Sequence, residues 1–255
     1  MRLPLRLTAA LLKARIALPS RGSDGASLFH LLDPADVLHP DSPHPISHEK
    51  LRGIPSSKRL VWIRGSEPLS HPGVAHLVRA VAPGRFIFLE TDGVALRRRI
   101  HEFPPLPQLM FVVRLEVCPA VKPTDSRTPS ALTLALEGLR TAQLSGFWTA
   151  IDSAISGDSN LEAIREHQDR ALRLKIDGWL VTAATATPAA LRKAAEARAL
   201  IPSARWRGLS EEVEHAALGR LEGISTPAVA ESVDHATPVF PSVASEAREE
   251  SARAS

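Results

Sequence analysis

The chain of 255 residues has one cysteine, Cys118, and no tyrosine. A single thiol excludes an internal disulfide framework. It equally excludes a four-cysteine zinc or iron–sulfur centre built from this chain alone. Charge of one sign is also scarce: 31 basic against 28 acidic residues leave a formal net charge of +3. With no long basic block, that balance gives no argument for a nucleic-acid binder, and none is expected. No apolar run is long enough to span a bilayer. A Ser-His-Asp elbow, a Walker loop and a His-Glu-x-x-His helix are all missing from the sequence. The basic residues are mostly arginine, which is read as coding bias in preference to chemistry.

What is there is an ordinary globular composition, 44% hydrophobic and 23% charged, long enough to bury a core without staples. Residues 1–22 read as a basic amphipathic helix. Lys13 and Arg15 interrupt its apolar stretch, which argues against a signal peptide. Leu5, Leu7, Leu11, Leu12 and Ile16 are expected on one helical face, with Arg2, Arg6, Lys13 and Arg15 largely off it. Two readings follow for residues 1–19: a helix lying on an anionic membrane, or a short helix capping the domain, the second preferred. Residues 208–222 are expected as a terminal helix, and 223–255, rich in Ser, Ala, Glu and Pro, as a disordered tail.

Between these ends, over 23–207, six β-like runs alternate with helical stretches. The runs are 28–32, 59–64, 85–90, 109–117, 147–155 and 177–183. Their near-continuous Val, Ile, Leu, Phe and Trp imply burial on both faces, the mark of a parallel sheet. Helices are expected over 71–84, 129–146, 159–175 and 187–200, the last opened by Thr187 and Pro188 as N-cap and first-turn residue. The class is α/β with right-handed crossovers, either an open doubly wound sheet or a partial barrel. Either way, ligands belong at the carboxyl ends of the strands.

Four segments carry a family resemblance. Arg64-Gly65-Ser66-Glu67-Pro68-Leu69-Ser70-His71-Pro72 resembles the Gly-Gly-Glu-Pro-Leu-x-His-Pro segment of radical S-adenosylmethionine (SAM) proteins. Residues 85–117 are similar to the strand, Thr-Asn turn, leucine-rich helix and Phe-x-Pro-x-Pro linker of hopanoid-biosynthesis-associated radical SAM enzymes. Residues 135–155 and 172–187 resemble that family's Ile-x-x-Ala-x-x-x-Gly-Phe and Val-Asp-Gly-x-x-x-Ser-Pro segments. The resemblance spans Leu28 to Thr187 in the family's order, and 10–16 resembles its opening helix. It implies a partial (β/α)6 radical-SAM-like TIM barrel rather than the open sheet.

The departure from the family is a missing loop. The family carries Cys-x-x-x-Cys-x-x-Cys after strand one, whose thiolates hold a 4Fe–4S cluster that binds SAM. Here Asp33-Pro34-Ala35-Asp36-Val37-Leu38-His39-Pro40 follows instead, and Cys118 lies beyond strand four. The cluster is therefore not expected, and neither is the family's radical chemistry on a hopene. The SAM-contacting positions the resemblance implies are Gly65, Ser66, Glu67, Pro68, Thr91, Asp92, Asp152 and Thr182. Ser66 adds a Cβ where the family has glycine, and Asp92 and Asp152 stand where it has amides. An ionised carboxylate accepts hydrogen bonds but donates none, so weak SAM binding or none is expected.

Each residue also has a plain structural reading. Glu67 pairs with Arg64 or Arg114, Asp152 caps a turn, and Asp177-Gly178 only starts strand six. His30, His39, His44 and His48 match no compact metal motif, so 33–48 reads as a Pro-rich surface loop.

The preferred functional expectation is a non-catalytic pseudoenzyme. It would be a partner or regulator of an intact radical SAM relative or another lipid-biosynthesis protein, cytoplasmic, with peripheral membrane contact as the alternative, and with no nucleic acid bound. The alternatives are a SAM- or nucleoside-binding module, and a radical SAM enzyme of hopanoid or lipid metabolism using a cluster supplied in trans. A barrel with new non-redox chemistry at Glu67, Asp92, Glu116 and Asp152, and a decaying gene product, complete the set.

Overall fold

The computed structural model describes residues 4–17, 27–38, 48–55, 59–65, 67–117 and 130–224. Helix α1 (Leu5–Ala17) leads to strand β1 (Phe29–Leu32) and the short helices α2 (Pro34–Val37) and α3 (His48–Arg52). Then come β2 (Leu60–Ile63), α4 (Val74–Val81), β3 (Phe86–Thr91), α5 (Leu96–Arg99) and β4 (Leu109–Val117). The last part is α6 (Ala131–Leu144), β5 (Trp148–Ile155), α7 (Leu161–Arg173), β6 (Gly178–Ala183), α8 (Pro188–Arg198) and α9 (Ala204–Ile224). All six strands are parallel, in the order β1-β2-β3-β4-β5-β6, curled into a TIM-like half-barrel. The expected strand runs agree with the observed ones to within one residue at each end.

Local chemistry explains the helix starts. Ser130, Asn160 and Thr187 each accept a hydrogen bond from a backbone N–H in the first turn of the helix that follows. The two faces of the sheet then separate by the period of two. Outward residues such as Phe111, Leu115 and Ile151 are buried under the helices, with Phe111 edge-on to both Phe103 and Phe147. Inward, Trp62 stacks on Phe88 with centroids 4.8 Å apart, and Phe29 meets both edge-on.

Helix α9 starts at Ala204, four residues before the expected terminal helix, and packs against both edge strands, β6 and β1. The exposed edge of β6 is capped by side chains rather than by another strand. Val181 N–H donates to Ser210 Oγ (3.1 Å), Ala183 N–H to Glu214 Oε1 (3.2 Å), and the Val181 carbonyl accepts from Arg198 Nε (3.1 Å). Arg198 and Glu214 pair with each other. An unsatisfied sheet edge is thereby covered without closing the barrel.

Two expectations need correction. The apolar residues of α1 do not share a face. Leu7 and Ala10 lie in the core and Leu11 packs against it, while Leu5, Leu12 and Ile16 are exposed. At about 100° per residue, positions 7 and 11 fall opposite 5, 12 and 16. Nor is 33–48 wholly a surface loop. Asp33 caps α2, and Pro34, Val37 and Leu38 are buried, because Val37 and Leu38 join the hydrophobic core directly after β1. His39, His44, Ser66, Cys118 and the tail from 225 lie outside the described residues. Among the described residues no helix is long and apolar enough to cross a membrane.

Candidate functional site

The carboxyl ends of β2 and β3 are joined by one side chain. After Ile63 the chain passes through Gly65 with φ of 131°, a conformation that favours glycine. A Cβ there would also collide with the Asp33 carboxylate at the end of β1. Glu67 then caps the 3-10 turn Pro68–Ser70, its Oε1 accepting from Leu69 N–H (3.0 Å). The same carboxylate accepts from the Thr91 hydroxyl (2.5 Å) and from Asp92 N–H (2.7 Å). Thr91 Oγ1 in turn accepts from Gly93 N–H, and Asp92 Oδ1 from Val94 N–H (2.8 Å). An open cleft of about 500 Å³ lies beside this network, lined by Glu67, Leu69, Ser70, Asp92, Arg98 and Arg99 among others. Arg99 is held there by Glu102 and by the carbonyls of Leu69, His71 and Pro72. The short charge-assisted bond to Arg99 holds the Glu102 carboxyl below its usual range.

A second network crosses the inner face from β2 to β6. Trp62 Nε1 donates to Glu90 Oε2 (2.7 Å), and Arg64 and Arg114 both approach Glu90 Oε1 (3.5 and 3.7 Å). Arg114 bonds Asp152 Oδ2 (3.0 Å), reaches Thr182 Oγ1 (3.3 Å) and approaches the Ala183 carbonyl (3.4 Å). Thr182 donates to Asp152 (2.8 Å to Oδ2). Asp152 is 0% exposed and Glu90 6%. Parallel register sets the crossing, since Arg114 lies opposite Asp152 on β5. Burial raises the Glu90 pKa, and the Asp152 charge adds to this; Arg64, Arg114 and the Trp62 hydrogen bond oppose it without cancelling it. Burial disfavours the Arg114 charge, but Asp152, Glu90 and Glu116 outweigh it and keep the guanidinium ionised.

The structure therefore brings Gly65, Glu67, Pro68, Thr91 and Asp92 together at one edge of the barrel mouth. Asp152 and Thr182 sit together at the other, with Arg64, Glu90 and Arg114 between. Glu67 does not pair with Arg64 or Arg114, as its plain reading held; its carboxylate faces Thr91 and Asp92, and the two arginines turn to the deeper acids. Asp152 does not cap a turn but lies within β5. Asp177 matches its plain reading: Oδ2 accepts from Thr149 N–H (2.9 Å) just before β6 begins.

Sequence reasoning passed over Glu90 and Trp62 and took Arg64 and Arg114 only as partners for Glu67. Their signal was present. Trp62 and Arg64, Phe88 and Glu90, and Met110 and Arg114 share the parity of one face. Charges within buried strands require countercharges.

The groups implied by the resemblance can be tested on these residues. A 4Fe–4S cluster needs three thiolates and the chain has one cysteine. Among the described residues, no group of three His, Cys, Asp or Glu side chains is placed to hold a metal ion. The segment after β1 turns straight into α2 and the buried Leu38. The residues present do not fit the cluster. For SAM, the Asp33 carboxylate crowds the Gly65 backbone, and Glu67 already accepts three internal hydrogen bonds. No protein-family model matches the chain, and no curated protein matches it.

Proposed function

We propose that this chain is a non-catalytic, radical-SAM-like partial barrel, related to the hopanoid-associated radical SAM enzymes, that acts as a partner or regulator of an intact relative in lipid metabolism. One observation carries the reading. The polar side chains at the strand ends, where a barrel enzyme presents its chemistry, bond to one another. Glu67 serves Leu69, Thr91 and Asp92, and Asp152 serves Arg114 and Thr182. A catalytic carboxylate must reach a substrate, and these two are already committed to neighbours. Losing the cluster loop removes the family's chemistry while leaving a barrel whose mouth carboxylates bond to their own neighbours.

The open cleft beside Glu67 and Asp92 favours one second reading, a cluster-free module for SAM or a nucleoside. Calorimetry of the iron-free protein with SAM separates the two. The pseudoenzyme reading expects a dissociation constant of roughly 100 μM or weaker, at most about 5–6 kcal/mol. Micromolar affinity overturns it. The partner role is tested by titrating an intact relative from the same genome with this chain. Turnover is expected to change up to a one-to-one ratio, and unchanged turnover without co-elution rejects the role.

A further inference from the structure

Helix α1 is apolar on two opposite sides. On one side Leu7 and Ala10 enter the core, and Leu11 and Ala14 pack against it. On the other, Leu5, Leu12 and Ile16 remain 86, 61 and 76% exposed. These three fall within about 40° of one another around the helix. Exposed Arg6 and Lys13 sit at about 80–100° from the centre of this strip, at its margin.

We propose that this outer strip of α1 docks on an anionic lipid surface, with Leu5, Leu12 and Ile16 in the headgroup–acyl boundary and Arg6 and Lys13 at the phosphates. Three observations select that occupant. The first is size: three side chains expose a few hundred Å², against the roughly 800 Å² per partner of a stable protein interface, which disfavours a second copy of the chain. Shape is the second, because the residues form a convex ridge on one helix, suited to a deformable surface rather than to a complementary groove. Third, the exposed charges beside the strip are basic, which complements anionic headgroups. The helix does not need to leave the protein to bind, because its other face is the one in the core. The inference does not rest on the proposed function of the barrel mouth.

The test is co-sedimentation of the full chain with vesicles of equal phosphatidylglycerol and phosphatidylcholine, and with phosphatidylcholine alone. Partitioning to the anionic vesicles is expected to exceed that to the neutral ones by about tenfold or more and to fall with added salt. Leu12→Glu with Ile16→Glu is expected to abolish it while leaving the circular dichroism and the unfolding midpoint unchanged, since both positions are exposed. Leu5→Glu, tested alone, serves if the double variant misfolds. Arg6→Gln with Lys13→Gln is expected to weaken binding to anionic vesicles only. Absence of binding, equal binding to neutral vesicles, or binding indifferent to the acidic substitutions overturns the proposal. So does a dimer lost on Leu12→Glu with no vesicle binding.

Discussion

At the scale of single residues, this protein places charge and imidazole where water is scarce. Asp152 has no exposed surface and Arg114 supplies its countercharge. Removing either partner of such a buried pair leaves an uncompensated buried charge, which is strongly destabilising. On the outer face, Trp179 Nε1 donates to Ser153 Oγ (2.9 Å), and the same hydroxyl shares a hydrogen bond with His167 Nδ1 (3.2 Å). Burial, with repulsion from Arg170, lowers the His167 pKa to about 4. Between pH 6.5 and 4 the unfolded chain therefore binds a proton that the folded one refuses. Stability then rises with pH across this window and is lost as pH falls through it. The contribution from His167 is expected to drop by about 2 kcal/mol between pH 7 and pH 5. Urea unfolding of wild type and His167→Gln at both pH values checks this; parallel losses in the two proteins would refute it.

At the scale of elements, α9 substitutes for the strands that a closed barrel has. Its contact with β6 depends on the absence of a side chain at Gly178. A Cβ there would overlap the ring of Trp206, which is fully buried. Gly178→Ala is accordingly expected to destabilise by about 1–3 kcal/mol through overpacking, and to loosen α9 rather than the central strands. Hydrogen exchange reads the difference: protection should fall in 204–216 and on β6, and stay unchanged on β3 and β4. Uniform loss, or none, would contradict this account of the seal. The same contact explains why the terminal helix had to begin earlier than expected. Trp206 is its anchor, and it lies in its first turn.

At the scale of the whole molecule, the sheet is a TIM-like half-barrel, and the proposed kinship with radical SAM enzymes has to be judged on the ligands a cluster needs. The ligand arithmetic applies to the entire chain, described or not: one cysteine cannot supply three thiolates. Protein treated anaerobically with iron and sulfide is expected to remain colourless and to leave SAM intact. A stoichiometric cluster spectrum that survives Cys118→Ala would reverse that expectation. The all-parallel class was legible in the runs from 28 to 183, because a strand buried on both faces must be apolar throughout; the strand order was not, since the same runs suit an open doubly wound sheet as well as the sequential half-barrel observed. The pairing of charges was not legible. Arg64 has Glu67 three residues away, yet it meets Glu90 from the next strand, because the turn after Gly65 aims Glu67 at Thr91 and Asp92.

By itself, the sequence determined the six strands, four helices between 71 and 200, the parallel class and the want of thiolates, since burial period, capping residues and composition are properties of the chain. Only the tertiary structure decided which side of α1 is free, that α9 seals the gap between β6 and β1, and that Glu67 and Asp152 are held by neighbours. The reason is distance along the chain. Periodicity reports on residues a few positions apart, whereas Asp33 meets Gly65, Glu67 meets Asp92, Gly178 meets Trp206 and Arg114 meets Asp152 across turns and strands whose relative placement the whole core sets.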